Sequence, residues 1–188
     1  MDVDTLLSEM TVAIERSLAA SDEAPAEKPA APKPQSYLTV TFDPAQRAAL
    51  NEAFLSAQAA AGVAESHTAK QELHVTLWHP GNYGPGEGLQ LREQLLAMQG
   101  KQVQFHVQRF HHTPTLSAAE VAVAEGALGS AALDCTPHIT MFHARGVNPA
   151  LAGPMVRDGT GAAVPLAEPL AVVGTVVDRP LGRPRPRK

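Results

Sequence analysis

Cysteine is almost missing from this sequence. Cys135 stands alone, which excludes an intramolecular disulfide framework and a four-cysteine zinc site and fits a reducing compartment. No apolar run approaches the roughly 20 residues needed to span a bilayer, and the acidic N-terminus lacks the basic start of a secretory signal. These absences point to a soluble, intracellular chain, cytoplasmic or nuclear, with no membrane partner. Positive charge is scarce outside the C-terminus. Arg179, Arg183, Arg185, Arg187 and Lys188 hold five of the fifteen basic residues, leaving ten against nineteen acidic residues in 1–178. A body of that sign does not coat long stretches of nucleic acid, which needs a basic face that neutralises many phosphates. A terminal or small substrate remains allowed.

The 188 residues, 44% hydrophobic, suffice for one packed domain plus tails. In 1–20, Leu6, Met10, Ile14 and Leu18 fall on one stripe of an amphipathic helix, which either finds a partner elsewhere or is a frayed tail. Residues 21–35, with four prolines, read as an extended linker. The domain is expected over 36–178, with an unpacked Arg/Pro tail in 179–188. Within it the pattern predicts a strand over 37–42, a helix from Pro44 to about Ala60, and a strand over 72–79. A glycine-rich loop and a helix over 89–98 follow, then strands over 101–112, 119–124 and 137–144. A short helix over 147–157, limited by Pro154, precedes a last strand over 170–177. This order is an α+β pattern.

The most informative feature is internal. His74-Val75-Thr76-Leu77-Trp78-His79 returns as His138-Ile139-Thr140-Met141-Phe142-His143, each residue matched by itself or a close physical analogue. A bare His-x-Thr is weak: eight histidines and twelve threonines give about half an occurrence by chance, and His111-His112-Thr113 is such a coincidence. On strands, His74, Thr76, His138 and Thr140 take one face, while Val75, Leu77, Ile139 and Met141 take the core face. If the strands belong to two halves related by approximate two-fold symmetry, two imidazoles and two hydroxyls converge on a groove. Opening a cyclic phosphate in line needs a base beside the attacking water and an acid beside the departing oxygen, which two histidines supply near neutrality. Threonine hydroxyls can donate to the non-bridging oxygens. No metal or other cofactor is required.

These residues resemble the two-histidine phosphoesterases, whose signature is a pair of His-x-Thr/Ser-x motifs in apolar strands. The resemblance spans roughly 36–178. His-Val-Thr-Leu, and Pro-His-Ile-Thr-Met followed by Gly-Val, look most like the cyclic phosphodiesterase module at the C-terminal end of fungal and plant-type tRNA ligases. It implies a two-lobed, pseudo-symmetric α+β fold with antiparallel sheets around a central cleft. It also implies metal-independent opening of RNA 2′,3′-cyclic phosphate ends to 2′-phosphates, in RNA repair or tRNA splicing. The partners so implied are RNA 3′ ends, a small cyclic nucleotide, or ligase and kinase domains of a larger chain. It suggests His74 as acid and His138 as base, a choice the near-identical motifs leave open.

Other residues invite two readings each. Trp78, Tyr83 and Tyr37 could stack a nucleobase at a cleft rim or serve packing, and Phe142 shares Trp78's position in the repeat. Arg145 could contact phosphate or be a solvated loop charge. His79 and His143 fall on the other parity and read as structural. A metal site from His74, His79, His138 and His143 is disfavoured for the same reason. Cys135 reads as a small core residue. A non-catalytic nucleotide- or RNA-end-binding module is the competing function.

Overall fold

The computed structural model describes residues 34–62, 67–133 and 135–181. The expected helix over 1–20, nearly all of the linker, and the tail from 182 lie outside the described residues. Among the described residues six strands and three helices form an α+β fold. The strands are β1 (Ser36–Phe42), β2 (His74–Trp78), β3 (Gln102–His112), β4 (Leu116–Val123), β5 (His138–His143) and β6 (Ala162–Pro180). The helices are α1 (Pro44–Ala60), α2 (Leu89–Leu96) and α3 (Ala152–Arg157).

All strand pairings are antiparallel and close a barrel in the order β1-β2-β5-β4-β3-β6. The expected pair of sheets around a cleft thus takes the form of one continuous wall in which the two motif strands are direct neighbours. Its apolar face is contributed by every strand. Val40, Val75, Ile139, Val121, Phe105 and Val172 join Leu50 and Phe54 of α1 and Leu95 of α2 in one core. A second, smaller cluster packs Ala152, Met155 and Val156 of α3 on Leu116 and Ala118 of β4. Gly153 of α3 also lies against His138 of β5.

Local chemistry sets the elements. Asp43 caps α1 by accepting from the Gln46 amide at 2.8 Å, and Pro44 fills the first helical position. Leu50, Phe54, Ala57 and Gln58 are the residues it buries. Pro154 does not limit α3 as expected. It sits in the first turn, where a missing amide hydrogen costs nothing. The last strand is longer than expected, 19 residues, because Ala162 to Thr175 pairs with β3 and Gly174 to Pro180 with β1, so Arg179 and Pro180, expected in an unpacked tail, belong to it. Pro165 pairs with Arg109 and Leu170 with Val107, so Leu166–Pro169 bulge out opposite Gln108, where the missing donor of Pro169 is tolerated.

Both motif strands carry the same irregularity. On β2, Thr76 pairs with Thr39 but Trp78 with Leu38, passing over Leu77. On β5, Thr140 pairs with Ala118 but Phe142 with Ser117, passing over Met141. A bulge after each threonine reverses the side-chain alternation beyond it. No helix among the described residues is long and apolar enough to cross a membrane.

Candidate active site

Strands β2 and β5 are bridged at a single pair, Val75 opposite Ile139. Both side chains are fully buried and anchor the seam. Extending an antiparallel register one residue each way sets His74 across from Thr140 and Thr76 across from His138. The four motif side chains then share one face, and each is only partly buried. The two histidines stand on a diagonal, for which Cα atoms lie about 7–8 Å apart. That spacing suits two rings that reach toward one group between them. Thr39, wholly buried on β1, donates its hydroxyl to the Val75 carbonyl at 2.7 Å and fixes β1 against the first motif.

The two rings are held differently. His138 Nδ1 donates to the Thr136 carbonyl at 2.9 Å, which leaves Nε2 for a ligand. A Cβ built on Gly153 of α3 would lie 3.0 Å from His138 Cε1, so the helix backbone presses on that ring. His74 Nδ1 is buried with no partner. Burial pushes the His74 pKa down to about 4, helped by the charges of Lys70, Arg179 and His138 and opposed by Glu72. Burial also lowers His138, with the Thr136 carbonyl pulling the other way. The positive charge that His138 can carry is among those that lower His74. Among the described residues neither Thr76 nor Thr140 spends its hydroxyl on a protein group.

The remaining candidates fall into other places. Trp78 is 1% exposed. The bulge turns it to the core side, where its indole nitrogen donates to the Gly88 carbonyl at 2.9 Å and Arg92 lies 5.5 Å from the ring. It offers no face to a base, which corrects the stacking reading. Tyr83 stacks on it at 5.6 Å and 12°, with Gly88 against its ring, so this loop tyrosine packs at the far end of β2 from His74. Phe142 stacks on His67 at 3.9 Å. Arg145 is exposed in the turn after β5, at the opposite end of that strand from His138. Tyr37 is partly exposed, pairs with Arg179 of β6, and packs its ring 5.7 Å from His79.

His79 accepts the Gly81 amide at 3.0 Å as the cap of a 3₁₀ turn, Pro80–Asn82. His143 Nδ1 lies 3.3 Å from the neighbouring Ala144 carbonyl. Among the described residues no three His, Cys, Asp or Glu are grouped to hold a metal ion. His111 and His112 are buried, 2% and 4% exposed, with structural partners. Cys135 places its Sγ 3.9 Å from the Thr76 carbonyl, behind the motif. A cavity of about 240 Å³ lies nearby, lined by Leu128, Ala131, Leu133, Cys135 and Pro137, but no motif side chain opens into it. Sequence reasoning missed Lys70, Glu72, Arg179 and Gly153. A repeat search cannot find them, because none belongs to the repeat.

No family profile matches the chain, and no curated protein does. Among solved structures, the crystal structure of a fungal RNA kinase is similar, with a TM-score of 0.51 at 12% identity over 87% of this chain. The match takes up 49% of that chain, so this sequence spans about half its length. At that identity the likeness establishes a shared fold, and the chemistry rests on the motif strands themselves.

Proposed function

We propose that the chain is a metal-independent 2′,3′-cyclic phosphodiesterase that opens RNA 2′,3′-cyclic phosphate ends to 2′-phosphates, in RNA repair or tRNA splicing. One observation carries this reading: the pairing at Val75 and Ile139 sets both imidazoles and both threonine hydroxyls on one face. The equivalent bulges after Thr76 and Thr140 support treating the two strands as related halves of one site. The shared fold with a chain described as a fungal RNA kinase accords with RNA as the substrate class.

The cyclic phosphate lies between the rings. A neutral imidazole takes a proton from water as the water oxygen bonds to phosphorus. The bond from phosphorus to O3′ breaks, and the protonated imidazole gives its proton to O3′. Thr76 and Thr140 donate to the non-bridging oxygens as charge builds there. The pair must hold one proton. Burial and two nearby cations lower His74, and a bound phosphate anion opposes those cations. The acid role that the family resemblance gives His74 therefore depends on substrate being present.

Product analysis of an RNA oligonucleotide ending in a 2′,3′-cyclic phosphate, incubated with chelator, tests the reading. The expected product is a 2′-phosphate end, with activity reduced about 10²–10⁴-fold in His74→Ala and in His138→Ala. Binding without conversion would make the chain an RNA-end-binding module instead. Activity that disappears with chelator and returns with zinc would also refute it.

A further inference from the structure

A cationic cluster borders His74 that the reaction as described does not use. Arg179, near the end of β6, extends its guanidinium to Glu72, Nη1 to Oε2 at 3.0 Å, a contact between residues 107 positions apart. Glu72 is two residues before His74, and the Arg179 charge is among those that lower the His74 titration. Tyr37, across from Arg179 in the β1–β6 ladder, also contacts it. Lys70 is anchored to β5 by its amide, which donates to the Met141 carbonyl at 2.8 Å, and its charge also lowers His74. Two positive charges, Lys70 and Arg179, thus act on the His74 ring. Such a place suits an anion.

We infer that Arg179 holds the substrate's phosphate beside His74, and that Glu72 occupies Arg179 when the site is empty. The inference rests on the phosphodiesterase reading for its substrate, a phosphate ester anion, and adds how that anion is taken up. Arginine is suited to the exchange because its planar fork binds a carboxylate or a phosphate with the same geometry. Glu72 is a weak competitor. Its side chain is 71% exposed against 35% for Arg179, so water screens the pair and the carboxylate can swing away. The incoming anion then takes the guanidinium and lies against the ring.

Inorganic phosphate serves as the probe, titrated while the His74 ring protons are followed by NMR, so the result does not depend on turnover. Arg179→Ala is expected to weaken phosphate binding about tenfold and Glu72→Gln to strengthen it about threefold. In phosphate-free buffer the same variants should move the His74 titration oppositely: upward without Arg179, which depresses it, and downward without the Glu72 charge, which raises it. Local unfolding would move both upward, so opposite signs exclude a merely structural effect. Phosphate affinity unchanged in Arg179→Ala, or no phosphate binding to the wild type, would overturn the inference. An unchanged cyclic RNA end in the product assay would sink the phosphodiesterase reading, while the phosphate titration would still report on Arg179.

Discussion

Two histidines of one type, in matched sequence, are held in unequal surroundings, and the difference has measurable consequences. His74 is lowered to about 4, and His138 is lowered from its ordinary value. A pair that must hold one proton works best between its two titrations. The pH profile of kcat/KM, which reports the free enzyme, should therefore peak on the acid side of 6.5 and decline toward neutrality. The profile of kcat should lie at higher pH, because bound phosphate favours the charged rings. Steady-state kinetics from pH 4.5 to 8 would show this, and coincident profiles peaking above 7 would contradict it. Gly153 provides a second residue-scale test. In Gly153→Ala the new methyl would push His138 by a few tenths of an ångström, while alanine favours the helix by roughly 0.5–1 kcal/mol. Turnover is expected to drop about tenfold with the melting temperature unchanged or raised. Equal turnover would mean that α3 does not position the ring.

The elements show how a side chain can be read correctly as to type and wrongly as to direction. Alternation along β2 and β5 put His74, Thr76, His138 and Thr140 on one face because no irregularity intervenes between each histidine and its threonine. Beyond the threonine each strand bulges, and Trp78 leaves the ligand face for the core. A bulge is decided by the partner strand, so six residues of sequence do not announce it. The first half of β6 was hidden for a related reason. Residues 162–171 are largely exposed and carry Pro165 and Pro169, so no apolar alternation marks them, and pairing with β3 alone makes them a strand. The cations beside His74 were invisible because Glu72 and Arg179 meet only once the barrel has closed. One element-scale contact can be tested directly. Ser117 of β4 lies 3.0 Å from His67 Nδ1 and 3.1 Å from His112 Nδ1, all three buried. Ser117→Ala leaves both nitrogens without that partner and should cost about 1–3 kcal/mol in denaturant unfolding. A loss below about 0.5 kcal/mol would show that the hydroxyl is dispensable.

Over the whole molecule, burial lowers His74, His79, His112 and His138 together. Unfolded histidine titrates near 6.5, so the fold favours the neutral rings. Their contribution to stability is complete above that value and is lost as pH falls through the folded values, which for His74 means from 6.5 down to about 4. The melting temperature should fall across this interval, and less steeply in His74→Asn. A flat profile, or one that rises toward acid, would contradict the assignment. The window that suits the proposed pair of histidines is thus also the one in which the barrel weakens, and the two trends set opposing limits on the working pH. A crystal structure with a nucleoside 2′-monophosphate bound tests most directly whether the twin motifs serve a single phosphoryl group. The account predicts one phosphate with oxygens about 2.6–3.2 Å from Nε2 of both His74 and His138. A phosphate bound to one ring alone, or seated away from both, would contradict it.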